Sequence, residues 1–119
     1  GNKIPFVNLN IKMKRALEII SKKKLGTLIV QNSKKITVGI ITDGQIRRSN
    51  QNNNNLLNLT VKKLMTKNPI TIDQDMLAEK ALSMMNTKKI TSLCVHKKNN
   101  KLKTVGIIHI HNLLENNIN

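Results

Sequence analysis

Apolar residues recur at i, i+3, i+4 and i+7 in two places, first as Met13, Ala16, Leu17 and Ile20 and sixty-five residues later as Ala78, Ala81, Leu82 and Met85. That spacing puts four side chains on one face of an α-helix. Each stripe runs through a lysine pair, Lys23-Lys24 or Lys88-Lys89, into an apolar run, Leu28-Ile29-Val30 or Leu93-Cys94-Val95, and then a polar turn. Val38-Gly39-Ile40-Ile41 and Val105-Gly106-Ile107-Ile108 close the two halves, with a net two-residue insertion in the second polar turn. A duplication is the economical reading. Units of about sixty residues bury too little surface to stand alone, so the halves are expected to share a core about a pseudo-twofold axis, with a ligand groove along it.

The same periodicities place the elements. Strands are expected at 6–7, 27–31 and 36–42 and again at 70–72, 91–96 and 102–108, with long helices at 12–25 and 76–88. Three lysines near the end of the first helix suit its macrodipole, and Gly26 suits its C-cap. Thr42 and Gln45 have the spacing of a capping box and open a short helix carrying Ile46, Arg47 and Arg48. The Asn-rich stretch 50–58 reads as an exposed connection. Thr60 is placed to cap a short helix at 61–65 that Asn68-Pro69 breaks, Asp73 and Asp75 precede the second long helix, and a last helix is expected at 109–116. Each half thus reads strand, helix, strand, strand, helix, an α/β (α+β) fold. The divisions are 1–50 for the first unit, 51–68 for the linker and short helix, and 69–119 for the second unit. Ala16, Leu17, Ile20, Leu28, Val30, Ile40, Ala81, Leu82, Met85, Leu93, Val95 and Ile107 are the expected core.

Composition narrows the function classes. No run reaches the roughly eighteen apolar residues of a membrane span, and the N-terminus lacks a secretory signal, so a cytoplasmic domain is expected. Cys94 is the only cysteine, which excludes a disulfide framework and a cysteine-based zinc site. The net charge of +15 would ordinarily direct attention to nucleic acid. Of the 21 basic residues, however, 18 are lysines spread through both halves, and base stacking would have only Phe6 to use, since Trp and Tyr are absent. Neither nucleic acid nor membrane is expected as a partner. The chain starts without methionine, and Gly1 to Pro5 reads as the tail of a linker, so a fragment of a longer protein is expected.

These residues resemble a tandem of cystathionine-β-synthase (CBS) domains, a regulatory pair also called a Bateman module, over the whole chain. The family signature is a glycine, two apolar residues, Thr or Ser, two free positions and an Asp. Here it reads Gly39-Ile40-Ile41-Thr42-Asp43-Gly44-Gln45 and Gly106-Ile107-Ile108-His109-Ile110-His111-Asn112. A narrower resemblance is to the bacterial arabinose-5-phosphate isomerases, through the stretch from Thr42 to Arg48, His109-Ile110-His111-Asn112-Leu113-Leu114, Leu64-Met65-Thr66-Lys67-Asn68-Pro69 and Lys89-Ile90-Thr91-Ser92-Leu93. In that family an N-terminal sugar isomerase domain interconverts ribulose 5-phosphate and arabinose 5-phosphate, on the route to the lipopolysaccharide sugar Kdo, and the CBS pair is C-terminal. The resemblance implies that this chain is that tail, has no room for the isomerase domain, and associates as a CBS dimer through the segment from Leu56 to Met65 and the short helices after each signature.

The implied ligand is a nucleotide or nucleotide sugar, with no required cofactor. Where CBS pairs bind adenosine nucleotides, the closing Asp of the signature holds the ribose and the Thr or Ser helps with phosphate. Gln45 and Asn112 replace that Asp, keeping a hydroxyl partner but losing the charge-assisted part of the bond. Thr42 becomes His109 in the second half. Thr42 and Gln45 serve either as ligand contacts or as a helix cap. Asp43 with Arg47 and Arg48 either orients a cationic fork toward a phosphate or carboxylate, lies on a solvated face, or pairs with another subunit. Thr71, Thr91 and Ser92 stand where CBS pairs line their groove, and equally where strands need such residues for packing. His109 and His111, two apart on a helix, are expected on different faces and so share no metal. The acids Glu18, Asp43, Asp73, Asp75, Glu79 and Glu115 offer no nucleophile and base recognisably paired, so no catalytic residue is expected. Two classes of function stay open: a ligand-sensing regulatory module, for a nucleotide sugar or an adenine nucleotide, and a structural oligomerisation domain.

Overall fold

The computed structural model describes residues 4–23, 26–52 and 55–111. The chain divides into two compact units, Gly1–Pro69 and Ile70–Asn119. Unit 1 contains β1 (Phe6–Asn8), α1 (Met13–Lys23), β2 (Thr27–Gln31), β3 (Thr37–Thr42) and α2 (Asp43–Asn52), followed by a 3₁₀ turn (Leu56–Asn58), α3 (Val61–Leu64) and β4 (Thr66–Lys67). Unit 2 contains β5 (Thr71–Asp73), α4 (Ala78–Lys88), β6 (Ser92–His96) and β7 (Thr104–His109).

The units repeat each other down to the register. β1 lies parallel to β2 with Phe6 opposite Ile29, and β5 lies parallel to β6 with Thr71 opposite Cys94, each pair joined by a helical crossover. β2 and β3 are antiparallel with Leu28 opposite Ile41, and β6 and β7 with Leu93 opposite Ile108. Both pairs slip by one residue at the same place, between Val30 and Gln31 and between Val95 and His96. The first hairpin is tied by Asn32, whose Oδ1 accepts the amides of Lys34 at 2.9 Å and Ile36 at 3.1 Å, an Asx turn that lets Lys35 take φ 64°.

Alternation decides which side chains meet the helices. Val7, Leu28, Val30 and Ile41 join Met13, Ala16 and Ile20 of α1 in one core, and Ile72, Leu93 and Val95 join Ala81 and Met85 of α4 in the other. Ile29, Ile40 and Cys94 are buried on the opposite sheet faces. Three expected core residues are only half-buried: Leu17 and Leu82 lie on the flanks of their helical stripes, and Ile107 lies on the outer strand of its sheet.

The largest departure from expectation is 50–69. α2 continues to Asn52 into the Asn-rich connection, and Leu56 and Val61 are spent on the core of unit 1, leaving Leu57 exposed. Backbone bonds hold this segment to the start of α1: Met13 N to Leu59 O at 2.8 Å, Val61 N to Ile11 O at 2.8 Å, and Lys62 N to Leu9 O at 2.9 Å. Thr60 precedes α3 in extended geometry but makes no side-chain cap bond. The helix stops at Leu64, not at Asn68-Pro69, because Met65 turns extended and β4 joins the edge of β3. Unit 1 therefore has four strands, in the order β1-β2-β3-β4, and unit 2 has three, β5-β6-β7.

α4 starts at Ala78, two residues later than expected, because Asp73 folds 74–77 into a turn: its Oδ1 accepts the Asp75 amide and its carbonyl accepts the Met76 amide. A helical turn begins at Ile110, and the rest of the expected last helix, with Asn112, lies outside the described residues. So do Lys24 and Leu25, ahead of Gly26, which takes φ 68°.

Met85 is fully buried between α4 and its sheet. Met85→Ala should cost about 2–5 kcal/mol of stability, read as a lower urea midpoint. An unchanged midpoint would show that this contact does not hold the helix to the strands.

Candidate functional site

In unit 1 the signature residues gather around the first turn of α2. Thr42 Oγ1 accepts the Gln45 amide at 3.3 Å, so half of a capping box forms. The other half does not. The Gln45 side chain donates to the carbonyl of Leu64, tying α2 to the end of α3 and leaving Oε1 as the atom that can accept a hydroxyl. Asp43 donates its backbone amide to Gly26 O at 2.9 Å and sets its carboxylate over that glycine, where a Cβ would lie 3.0 Å from Oδ2.

Arg47 and Arg48, both exposed, curl back toward the start of their own helix. A Cβ on Gly44 would lie 3.3 Å from an Arg48 guanidinium nitrogen and 3.9 Å from one of Arg47. Two guanidinium groups therefore converge on a turn that already carries the positive end of the helix dipole. A Cβ at Gly44 would press on Arg48, while Arg47 lies at ordinary contact distance. Chemically, two guanidinium groups at a helix start can attract an anion, and Gln45 Oε1 offers an acceptor at the edge of the turn.

In unit 2 Ser92 and His109 face each other across β6 and β7, on the sheet face turned away from α4. The rings of His109 and His111 stack at 4.7 Å and 24°, contrary to the expectation that two residues apart puts them on different faces. That expectation assumed one helix. His109 is instead the last residue of β7, and His111 stands in the helical turn after it. His109 Nδ1 accepts the His111 amide at 3.2 Å, in the place where Thr42 caps α2. Thr71 Oγ1 lies 2.8 Å from His96 Nδ1, so its hydroxyl is engaged within the unit. Thr91 is exposed and offers its carbonyl to the Ile110 amide at 2.8 Å.

Two residues of these faces escaped the sequence reading. Thr27 is buried opposite Thr42 as Ser92 is buried opposite His109, and the sixty-five-residue offset between the repeats leads from Ser92 back to Thr27. His96 is buried at the end of β6, and its signal is a lone histidine closing an apolar strand.

A CBS domain family model matches residues 2–51 and 61–118. The chain is 37% identical over 114 residues to the uncharacterized protein RP505 of Rickettsia prowazekii, covering 96% of this chain and 34% of that protein. It is 36% identical over 115 residues to arabinose 5-phosphate isomerase KdsD of Salmonella typhi, covering 96% and 34% respectively. The chain thus spans about a third of the length of the curated relatives it matches. The CBS domain pair of protein MJ0100, solved with 5′-methylthioadenosine and S-adenosyl-L-methionine, superposes with a TM-score of 0.83 at 23% identity, over 97% of this chain and 88% of that one.

Cys94 is a buried thiol on the same face as Ser92 and His96. Desolvation raises its pKa from 9.0 to about 11, opposed in part by a hydrogen bond with Thr104. The native state thus holds this proton after the unfolded chain has lost it, so stability is unaffected below pH 9 and falls as the pH climbs toward 11. Denaturation across that window should show a steeper loss for the unmutated protein than for Cys94→Ala. Parallel curves would contradict the burial.

Proposed function

The chain belongs to the CBS domain family, and we propose on that footing that it is the regulatory pair of an arabinose-5-phosphate isomerase that senses an anionic nucleotide or nucleotide sugar. The observation carrying the ligand class is the pair of guanidinium groups drawn over the first turn of α2, beside an amide in place of the family's carboxylate. An Asp at Gln45 would hold a ribose diol but would repel a second anionic group. Its replacement keeps the hydroxyl partner and removes the repulsion.

The proposed ligand contacts are Thr42, Asp43, Gln45, Arg47 and Arg48 in unit 1 and Thr71, Thr91, Ser92, His109 and Asn112 in unit 2. Catalysis belongs to an N-terminal sugar isomerase domain, and the CBS pairs associate as a homodimer in the cytoplasm, where sugar phosphates are converted. Cytidine-monophosphate-linked Kdo is the leading ligand, because an enzyme at the head of that sugar's synthesis is where end-product feedback acts. Feedback also requires that the ligand prefer one arrangement of the pair, since equal affinity shifts nothing. A second reading, an adenosine-compound sensor, draws support from the MJ0100 pair.

Calorimetry should show saturable, salt-sensitive binding of the cytidine compound, weakened about tenfold or more by Arg47→Ala or Arg48→Ala through loss of a charge-assisted bond. Tighter binding of AMP or ATP would transfer the site to the adenine reading. No binding of any nucleotide would leave a structural role.

A further inference from the structure

α1 and α4 hold the same place in the two repeats, yet their starts are charged differently. α4 opens with Leu77, Glu79 and Lys80, so an acid stands in its first turn, where the macrodipole favours one. At the sixty-five-residue offset α1 opens with Lys12, Lys14 and Arg15, and its first turn has no acid. Lys12 is the N-cap, its carbonyl accepting the Arg15 amide at 3.0 Å and the Ala16 amide at 3.2 Å, and a lysine side chain offers the helix no acceptor. Three cations at the positive end of a helix oppose it, and composition alone would treat the two starts alike.

The fold adds to this charge. Lys12 bridges Thr60 in antiparallel register, and the amides of Val61 and Lys62 donate to Ile11 O and Leu9 O, so α3 lies beside the start of α1. Lys62 and Lys63 are exposed, as are Lys12, Lys14 and Arg15. Arg15 is paired with Glu18 at 3.0 Å, and the one other acid of unit 1 is Asp43, at the start of α2. Unit 1 as a whole holds 14 of the 21 basic residues and two of the six acids, which puts +12 of the +15 charge on it. Leu57, 48% exposed, belongs to the 3₁₀ turn packed on α1, two residues ahead of Leu59, whose carbonyl accepts the Met13 amide.

We propose that the face formed by the start of α1, the 3₁₀ turn and α3 docks an acidic protein segment that carries an apolar residue among its carboxylates. The cations of Lys12, Lys14, Lys62 and Lys63 meet the carboxylates, and Leu57 takes the apolar side chain as an anchor within a charged rim. A nucleic acid fits less well. Phe6, the one aromatic ring of the chain, alternates with the core residue Val7 and so lies on the sheet face away from α1, leaving no base to stack here. A bilayer would need a continuous apolar face where this surface has one exposed leucine. A second copy is also the poorer occupant, since an isologous contact sets lysine against lysine.

Fluorescence anisotropy on the chain with a labelled peptide of Glu-Glu-Leu repeats tests this. The peptide should bind saturably and more weakly as salt is added. Lys12→Asp with Lys62→Glu should weaken it about tenfold or more, while Lys34→Glu with Lys35→Glu, the same change of charge on the first hairpin, should alter it less than about twofold. A Glu-Glu-Ser peptide should bind about threefold or more weakly than the leucine peptide, and Leu57→Ser should close that gap. Lys12→Asp alone supplies an N-cap and should raise the urea midpoint while binding falls, which separates lost docking from lost folding. Equal losses from the two double variants overturn the proposal, because overall charge would then account for binding. Tighter binding of duplex DNA or of phosphatidylglycerol vesicles overturns it in favour of phosphate, and peptide binding that disappears as protein concentration rises overturns it in favour of a second copy.

Discussion

Each unit depends on the register of its central antiparallel pair, Leu28 opposite Ile41 and Leu93 opposite Ile108. A strand side chain alternates faces, so a slip of one residue would turn Leu28, Val30 and Ile41 away from α1 and present Ile29 and Ile40 in their place. The register also aligns the polar ends of the strands. With Leu28 and Ile41 paired, Thr27 and Thr42 meet at the mouth of the pair. With Leu93 and Ile108 paired, Ser92 meets His109. The apolar packing and the polar site residues are therefore fixed by one choice, and the shared slip beyond Val30 and Val95 shows that both copies make it.

From the mouth of the first pair the chain passes directly into α2, and this positions the cationic groups. Thr42 ends β3 and accepts the Gln45 amide, so strand and helix share a residue and the first helical turn inherits the precision of the sheet. Arg47 and Arg48 reach back over Gly44 from one turn further on. In unit 2 the junction is made by His109, whose ring nitrogen accepts the His111 amide and whose ring stacks on that of His111. The duplicated halves have kept their frame and diverged at the cap, which is the pattern expected where a frame holds a site.

Much of this was legible in the sequence because periodicity reports burial. The helical stripes found Met13, Ala16, Ile20, Ala81 and Met85, and the short apolar runs found both central strands. What periodicity could not see is backbone pairing. β4 is two residues, Thr66–Lys67, with exposed side chains, and nothing in its side-chain pattern announces that its main chain closes the edge of β3. The start of α4 was misjudged for a related reason, since the Asp73 side chain competes for amides that a helix beginning at Met76 would have used. The stacking of His109 on His111 was missed because helical geometry was applied across a strand end. Thr27 required comparing the repeats position by position, and His96 required asking why an apolar strand should close on an imidazole.

The central claim is that the first turn of α2, with Arg47 and Arg48 drawn over it, receives the anionic part of a ligand. An amide-resolved NMR titration with cytidine-monophosphate-linked Kdo addresses it most directly, because it reports location and not only affinity. The largest shifts should fall on the amides of Gly44, Gln45 and Ile46 and on the Arg47 and Arg48 side chains. Saturating shifts confined to residues remote from that turn, with these signals unmoved, would contradict the account.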